Sequence, residues 1–161
     1  QALGEDGAKI MLTSRKAADL EESAATLQAA GIDARWIAAD CGQEADIQRL
    51  AQETLQRMGD VDILVNNAGV ERRADFWDVT EEDYDLVMDT NVKGLFFATQ
   101  AFVRHVRAHG QGGNHTGEAK PSGEGAPPGR GVVVNISSVH EEIAFPHFAS
   151  YCASKGALRM L

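Results

Sequence analysis

Val61-Asp62-Ile63-Leu64-Val65-Asn66-Asn67-Ala68-Gly69 is the stretch on which the fold turns. Its first half is a short apolar run and its second half is small and polar, the pattern of a buried strand over Val61–Val65 that ends abruptly. Three other runs read the same way: Ala8-Lys9-Ile10-Met11-Leu12-Thr13, Ala34-Arg35-Trp36-Ile37-Ala38-Ala39 and Val132-Val133-Val134-Asn135-Ile136. Helical patterns separate them. Lys16 to Ala30 is rich in Ala, Glu and Leu and stops at Gly31. Glu44 to Met58 is amphipathic and closes at Gly59. Thr80-Glu81-Glu82-Asp83 has the spacing of an N-cap followed by acids in the first turn, and a long helical pattern runs on to about His109. From Phe148 to Leu161 the chain turns helical again. Alternating strands and helices predict an α/β fold, a doubly wound parallel sheet with helices on both faces. Strands that are apolar throughout imply that both faces are covered.

The 161 residues suffice for one domain with a core, and 43% hydrophobic with 24% charged residues is ordinary for a globular protein. A net charge of −9 argues against partners such as nucleic acid or an anionic membrane surface. No apolar run reaches membrane-spanning length. Cys41 and Cys152 lack metal-type spacing and read as two unpaired thiols of a cytoplasmic protein. Residues 110–131 are rich in Gly, Pro and polar side chains and read as a flexible surface insertion.

In open parallel sheets, ligands bind beyond the carboxyl ends of the strands. Here those ends carry Thr13-Ser14-Arg15, Asp40-Cys41, Asn67-Ala68-Gly69 and Ser137-Ser138, all small or polar. Tyr151 and Lys155 lie four apart on a predicted helix and share a face. An ammonium beside a phenol favours its phenolate. Such a pair takes a proton from an alcohol or returns one to a carbonyl. Ser138 ends the neighbouring strand, where its hydroxyl could hold the reacting oxygen beside the phenol.

Taken alone, Tyr-x-x-x-Lys is a weak signal. Combined with Asp40-Cys41, Asp62-Ile63-Leu64-Val65-Asn66-Asn67-Ala68-Gly69, Thr90-Asn91-Val92-Lys93-Gly94, Val134-Asn135-Ile136-Ser137-Ser138 and Tyr151-Cys152-Ala153-Ser154-Lys155, it resembles the short-chain dehydrogenase/reductase family across nearly the whole chain. The resemblance implies a Rossmann-type sheet and an NAD- or NADP-dependent oxidoreductase acting on a small-molecule alcohol or carbonyl. It implies that Tyr151 is the general acid/base, that Lys155 lowers its pKa and bonds the nicotinamide ribose, and that Ser138 orients the substrate oxygen. Asn91 is implied to hold a water linking Lys155 to solvent, at an irregularity in its helix. Asp40 is implied to receive the adenine amino group, with the backbone of Cys41 nearby. Asn67, Ala68 and Gly69 are implied to line the adenosine ribose side. It also suggests a homotetramer built on the helices that start near Thr80 and Phe148.

Ser137-Ser138-Val139-His140-Glu141-Glu142-Ile143-Ala144-Phe145-Pro146 resembles the glucose 1-dehydrogenases and related sugar or polyol dehydrogenases. On that resemblance His140 and Glu141 either bond substrate hydroxyls or simply shape the loop. Where NAD-preferring members carry an acid to bind the adenosine ribose, this chain has Thr13-Ser14-Arg15. With no carboxylate to repel a phosphate, and Arg15 to pair with one, NADP is expected to serve at least as well as NAD.

Two rival readings are a sugar-nucleotide epimerase or dehydratase on the same fold, and a non-catalytic relative that senses cofactor. The joint presence of Asn91, Ser138, Tyr151 and Lys155 favours an enzyme. The family's first strand and its glycine-rich phosphate turn are not found in the sequence, nor is its C-terminal part. The sheet is therefore expected to be incomplete, with two strand pairs lacking a shared neighbour, and the chain by itself to bind cofactor poorly. His105 and His109 have a metal-like spacing but no evident third ligand, and no metal is expected. Asn114-His115-Thr116 matches a glycosylation sequon and is read as idle. Trp36 and Trp77 read as packing residues.

Overall fold

A computed structural model describes residues 1–109 and 131–161. The insertion and the sequon lie outside the described residues, apart from Gly131. The chain opens with a single helical turn, α1 (Ala2–Glu5), and then β1 (Ile10–Ser14), α2 (Ala17–Ala29), β2 (Ala34–Ala38), α3 (Glu44–Met58) and β3 (Ile63–Asn66). After a short 3-10 turn at Phe76–Asp78 come α4 (Glu81–Met88), a π-helical segment (Asp89–Gly94), α5 (Leu95–His109), β4 (Val132–Asn135), a 3-10 turn at Val139–Glu141, and α6 (Ala149–Arg159). Thr80 caps α4, its Oγ1 accepting from the Asp83 N–H at 3.1 Å. Gly59 ends α3 at φ 86°, a conformation that side-chain-bearing residues rarely adopt.

Among the described residues all strand pairing is parallel. β1 pairs with β2 from Ile10↔Ala34 to Ser14↔Ala38, and β3 pairs with β4 from Ile63↔Val132 to Asn66↔Asn135. Parallel partners need a crossover connection, and α2 supplies the one between β1 and β2. The pairs form two separate two-stranded sheets, as expected for a doubly wound sheet in which another strand belongs between them.

Burial follows this division. Around β1 and β2, Leu20, Ala24, Ile37 and Ile47 are all at most 5% exposed. Each large aliphatic side chain removed from water there contributes about 1.5–3 kcal/mol. The expectation of strands covered on both faces fails for β3 and β4: Val65 is 44% exposed and Val132 54%. Their pattern is that of a buried strand, but the described elements cover only part of their surface. Trp77 also departs from its reading, standing 80% exposed on the short turn at Phe76–Asp78 instead of packing. His105 is buried on α5 with Nε2 against Asp60 Oδ1. Of His109, only the helical backbone lies among the described residues.

Candidate active site

The carboxyl ends of β3 and β4 point at the start of α6, and the chemistry gathers there. A hollow of about 310 Å³ is lined by Asn67, Gly69, Val70, Glu71, Ile136, Ser137, Tyr151 and Lys155. Tyr151 and Lys155 share a face of α6 because they are one turn apart. Lys155 is only 4% exposed, and its Nζ donates to the Ile136 carbonyl at 2.9 Å. The same ammonium stands 5.5 Å from the centroid of the Tyr151 ring. Burial pushes the Lys155 pKa down, and the Glu141 carboxylate partly offsets this.

Ser138 is not among the residues lining the hollow. It caps the 3-10 turn beside it, its Oγ 3.0 Å from His140 Nδ1. The His140 ring meets the Tyr151 ring edge-on, with centroids 5.3 Å apart. Through that ring the serine and the phenol belong to one cluster. Glu141 accepts from the hydroxyl of Ser137, a residue that lines the hollow.

Asn91 is 1% exposed, in the π-helical segment. Its Oδ1 accepts from the Val70 N–H at 2.8 Å, and its Nδ2 donates to Val70 O and Ser154 Oγ, both at 2.9 Å. The Ser154 hydroxyl in turn donates to the Tyr151 carbonyl at 2.7 Å. The loop after β3, the π segment and α6 are thus tied in series behind the tyrosine. Sequence reasoning gave Ser154 no role. The available signal was its place three residues after Tyr151, which puts it on the same helix face.

A second group of predicted residues collects at the ends of β1 and β2. Asp40 Oδ1 accepts from the Gly42 N–H at 2.9 Å, and Asp46 Oδ2 accepts from the Asp40 N–H at 2.8 Å. Cys41 is half-buried, and Arg15 lies close enough to favour its thiolate slightly. Desolvation, then the charges of Asp40 and Asp46, outweigh that and push the thiol pKa up. Ser14 ends β1, its Oγ accepting from the Lys16 N–H at 3.3 Å. Gly94 connects this group to the π segment, because a Cβ there would stand 2.2 Å from the Cys41 carbonyl oxygen. Sequence reading quoted Gly94 in a motif and missed this close approach. Ala68 follows β3 between Asn67 and Gly69.

The sequence profile of the short chain dehydrogenase family matches residues 1–114 and 126–161. This chain belongs to that family. It is 36% identical over its whole length to 56% of a gluconate 5-dehydrogenase from Gluconobacter oxydans (strain 621H). It is 39% identical, over 94% of its length, to 54% of a sepiapterin reductase from Chlorobaculum tepidum. Among solved structures it matches a gluconate 5-dehydrogenase from Burkholderia cenocepacia J2315 in complex with NADP and tartrate. That match has a TM-score of 0.81 at 33% identity and covers 98% of this chain and 55% of the other. The chain therefore spans about half the length of these relatives.

A nicotinamide nucleotide fits the groups on this face of the short-chain dehydrogenase sheet. Gly69 has no side chain where a Cβ would come 3.6 Å from Asn91 Oδ1 and 3.8 Å from Lys155 Nζ. A cofactor can approach the bare Gly69 backbone there, with Lys155, Tyr151 and Asn67 lining the same hollow.

Proposed function

We propose that the whole protein is an NAD(P)-dependent alcohol dehydrogenase or carbonyl reductase whose substrate is a sugar or polyol. The observation that carries this reading is the Lys155 ammonium, held by one carbonyl oxygen beside the Tyr151 ring, with both residues facing the hollow that Asn67 and Gly69 also line. When bound, the cofactor supplies or accepts the hydride. The protein's own residues manage the proton. Tyr151 takes it from the alcohol in oxidation and returns it to the carbonyl oxygen in reduction. Lys155 sets its ammonium beside the Tyr151 ring. Ser138 bonds the reacting oxygen, and Asn91 holds the loop after β3 against α6.

A sugar or polyol substrate is supported by the glucose 1-dehydrogenase-like run from Ser137 to Pro146, and by gluconate 5-dehydrogenases among the relatives. Acceptance of NADP at least as well as NAD is supported by Ser14 and Arg15 at the end of β1, with no acid there. Asp40 and Cys41 are assigned to the adenine, and Ala68 to the adenosine ribose. A homotetramer is supported by the adjacent α4 and α6. A cytoplasmic location accords with the unpaired cysteines. Among the described residues no helix is long and apolar enough to cross a membrane.

The test is a panel of sugars, polyols, steroids and acyl ketones run on the whole protein with both cofactors. Turnover of polyols or sugars, with an NADP Michaelis constant no higher than that for NAD, is the expected result. Strong preference for NAD overturns the cofactor assignment. Turnover confined to steroids or acyl ketones overturns the substrate assignment.

A further inference from the structure

His140 is a polar group that this mechanism does not use. It lies in the turn Val139–Glu141, and its ring is enclosed by aromatic neighbours. Phe145 is 4.7 Å away between centroids, and Phe148 and Tyr151 are each 5.3 Å away. Nδ1 stands 3.0 Å from Ser138 Oγ, and the backbone N–H of His140 donates to the same oxygen at 3.3 Å. Nε2 is buried and has no hydrogen-bond partner among the described residues.

That asymmetry selects a tautomer. If Ser138 donated to Nδ1, the neutral ring would carry its proton on Nε2, as a buried N–H with nothing to bond. Orphaned buried backbone N–H groups are rarer in proteins than under-satisfied carbonyls, and the ring is taken to follow the same preference. With the proton on Nδ1, the ring donates to Ser138 Oγ and leaves only a lone pair at Nε2. Ser138 Oγ then receives two hydrogen bonds, one from the ring and one from the His140 backbone. Its own hydrogen must point away from both.

We infer that His140 is a positioning residue that makes Ser138 a hydrogen-bond donor toward the reacting oxygen. This rests on the reading of Ser138 and Tyr151 given above and deepens it. An oxygen that already accepts two bonds donates its own hydrogen more strongly. A substrate carbonyl, or the alkoxide that develops as Tyr151 removes the alcohol proton, accepts that bond. Enclosed as it is, with Nδ1 engaged, His140 is poorly placed to meet a substrate hydroxyl directly.

Two variants of the whole protein separate this role from simple packing. His140→Asn keeps an N–H donor near the position of Nδ1 but loses the ring. His140→Phe keeps the aromatic packing and loses the donor. A positioning role predicts that His140→Phe loses about 10- to 100-fold in kcat with little change in KM, and that His140→Asn stays within about threefold of wild type. A packing role predicts the reverse order, and that result overturns the proposal. Nitrogen-15 NMR of the histidine-labelled protein reads the tautomer without reference to turnover. An Nδ1–H ring is expected, and an Nε2–H ring overturns the proposal whatever the rates. An Nδ1–H ring in a wild-type protein that turns over no alcohol supports the Ser138 geometry and sinks the dehydrogenase reading instead.

Discussion

Lys155 keeps its ammonium on a single carbonyl oxygen, and burial lowers its pKa below the 10.5 of a free lysine. In the window between that lowered value and 10.5, the unfolded chain binds a proton that the folded one has lost. Stability therefore rises with pH through that window and is flat below it. Urea midpoints of the wild type and Lys155→Met, compared at increasing alkaline pH, should show this rise in the wild type alone. A parallel slope in both proteins would assign it elsewhere. Cys41 makes the opposite case. Its thiol is held up by burial and by the carboxylates of Asp40 and Asp46, so little thiolate is present near neutral pH. Alkylation by iodoacetamide should be slower at Cys41 than at a free thiol, and faster in Asp40→Asn. A Cys41 as reactive as free thiol would refute this account of its surroundings. That Tyr151 and Lys155 share a helix face was legible in the sequence, because they lie one turn apart. His140 Nδ1 on Ser138 was not, since the bond depends on a 3-10 turn and on three aromatic rings brought in from Phe145, Phe148 and Tyr151.

Among the elements, the π-helical segment Asp89–Gly94 interrupts what the pattern reads as one helix from Thr80 to His109. The resemblance implied an irregularity at Asn91, but the hydrophobic period does not reveal it. The cause is tertiary: Asn91 must reach the Val70 backbone while Gly94 lies against the Cys41 carbonyl. Both contacts come from residues distant in sequence. Gly94→Ala forces a methyl group into backbone and should destabilise the protein by about 1–3 kcal/mol, read as a lower urea midpoint. An unchanged midpoint would mean that the π segment can move away from Cys41 at no cost. The helix caps, in contrast, were local and legible. Thr80 caps α4 and Gly59 ends α3 where the sequence placed them.

At the scale of the whole molecule, the parallel pairing and the alternation of helices were legible because each strand is a short apolar run between helical patterns. Exposure was not, because a sequence shows which faces are apolar but not what covers them. The two pairs β1·β2 and β3·β4 are separate, and β3 and β4 expose valines on a surface typical of strands buried inside a sheet. Backbone donors and acceptors on unpaired strand edges need partners. The 161-residue chain by itself should therefore bind NADPH far more weakly than the whole protein in a fluorescence titration. Equal affinity would show that the two separate pairs suffice to hold the cofactor. The account as a whole stands on Tyr151 as the proton-transfer group, and the direct measurement is alcohol oxidation by the whole protein carrying Tyr151→Phe, with NADPH affinity titrated in parallel. Loss of about 100- to 10,000-fold in kcat, with affinity within about threefold of wild type, is the predicted result. Turnover by Tyr151→Phe at the wild-type rate would contradict it.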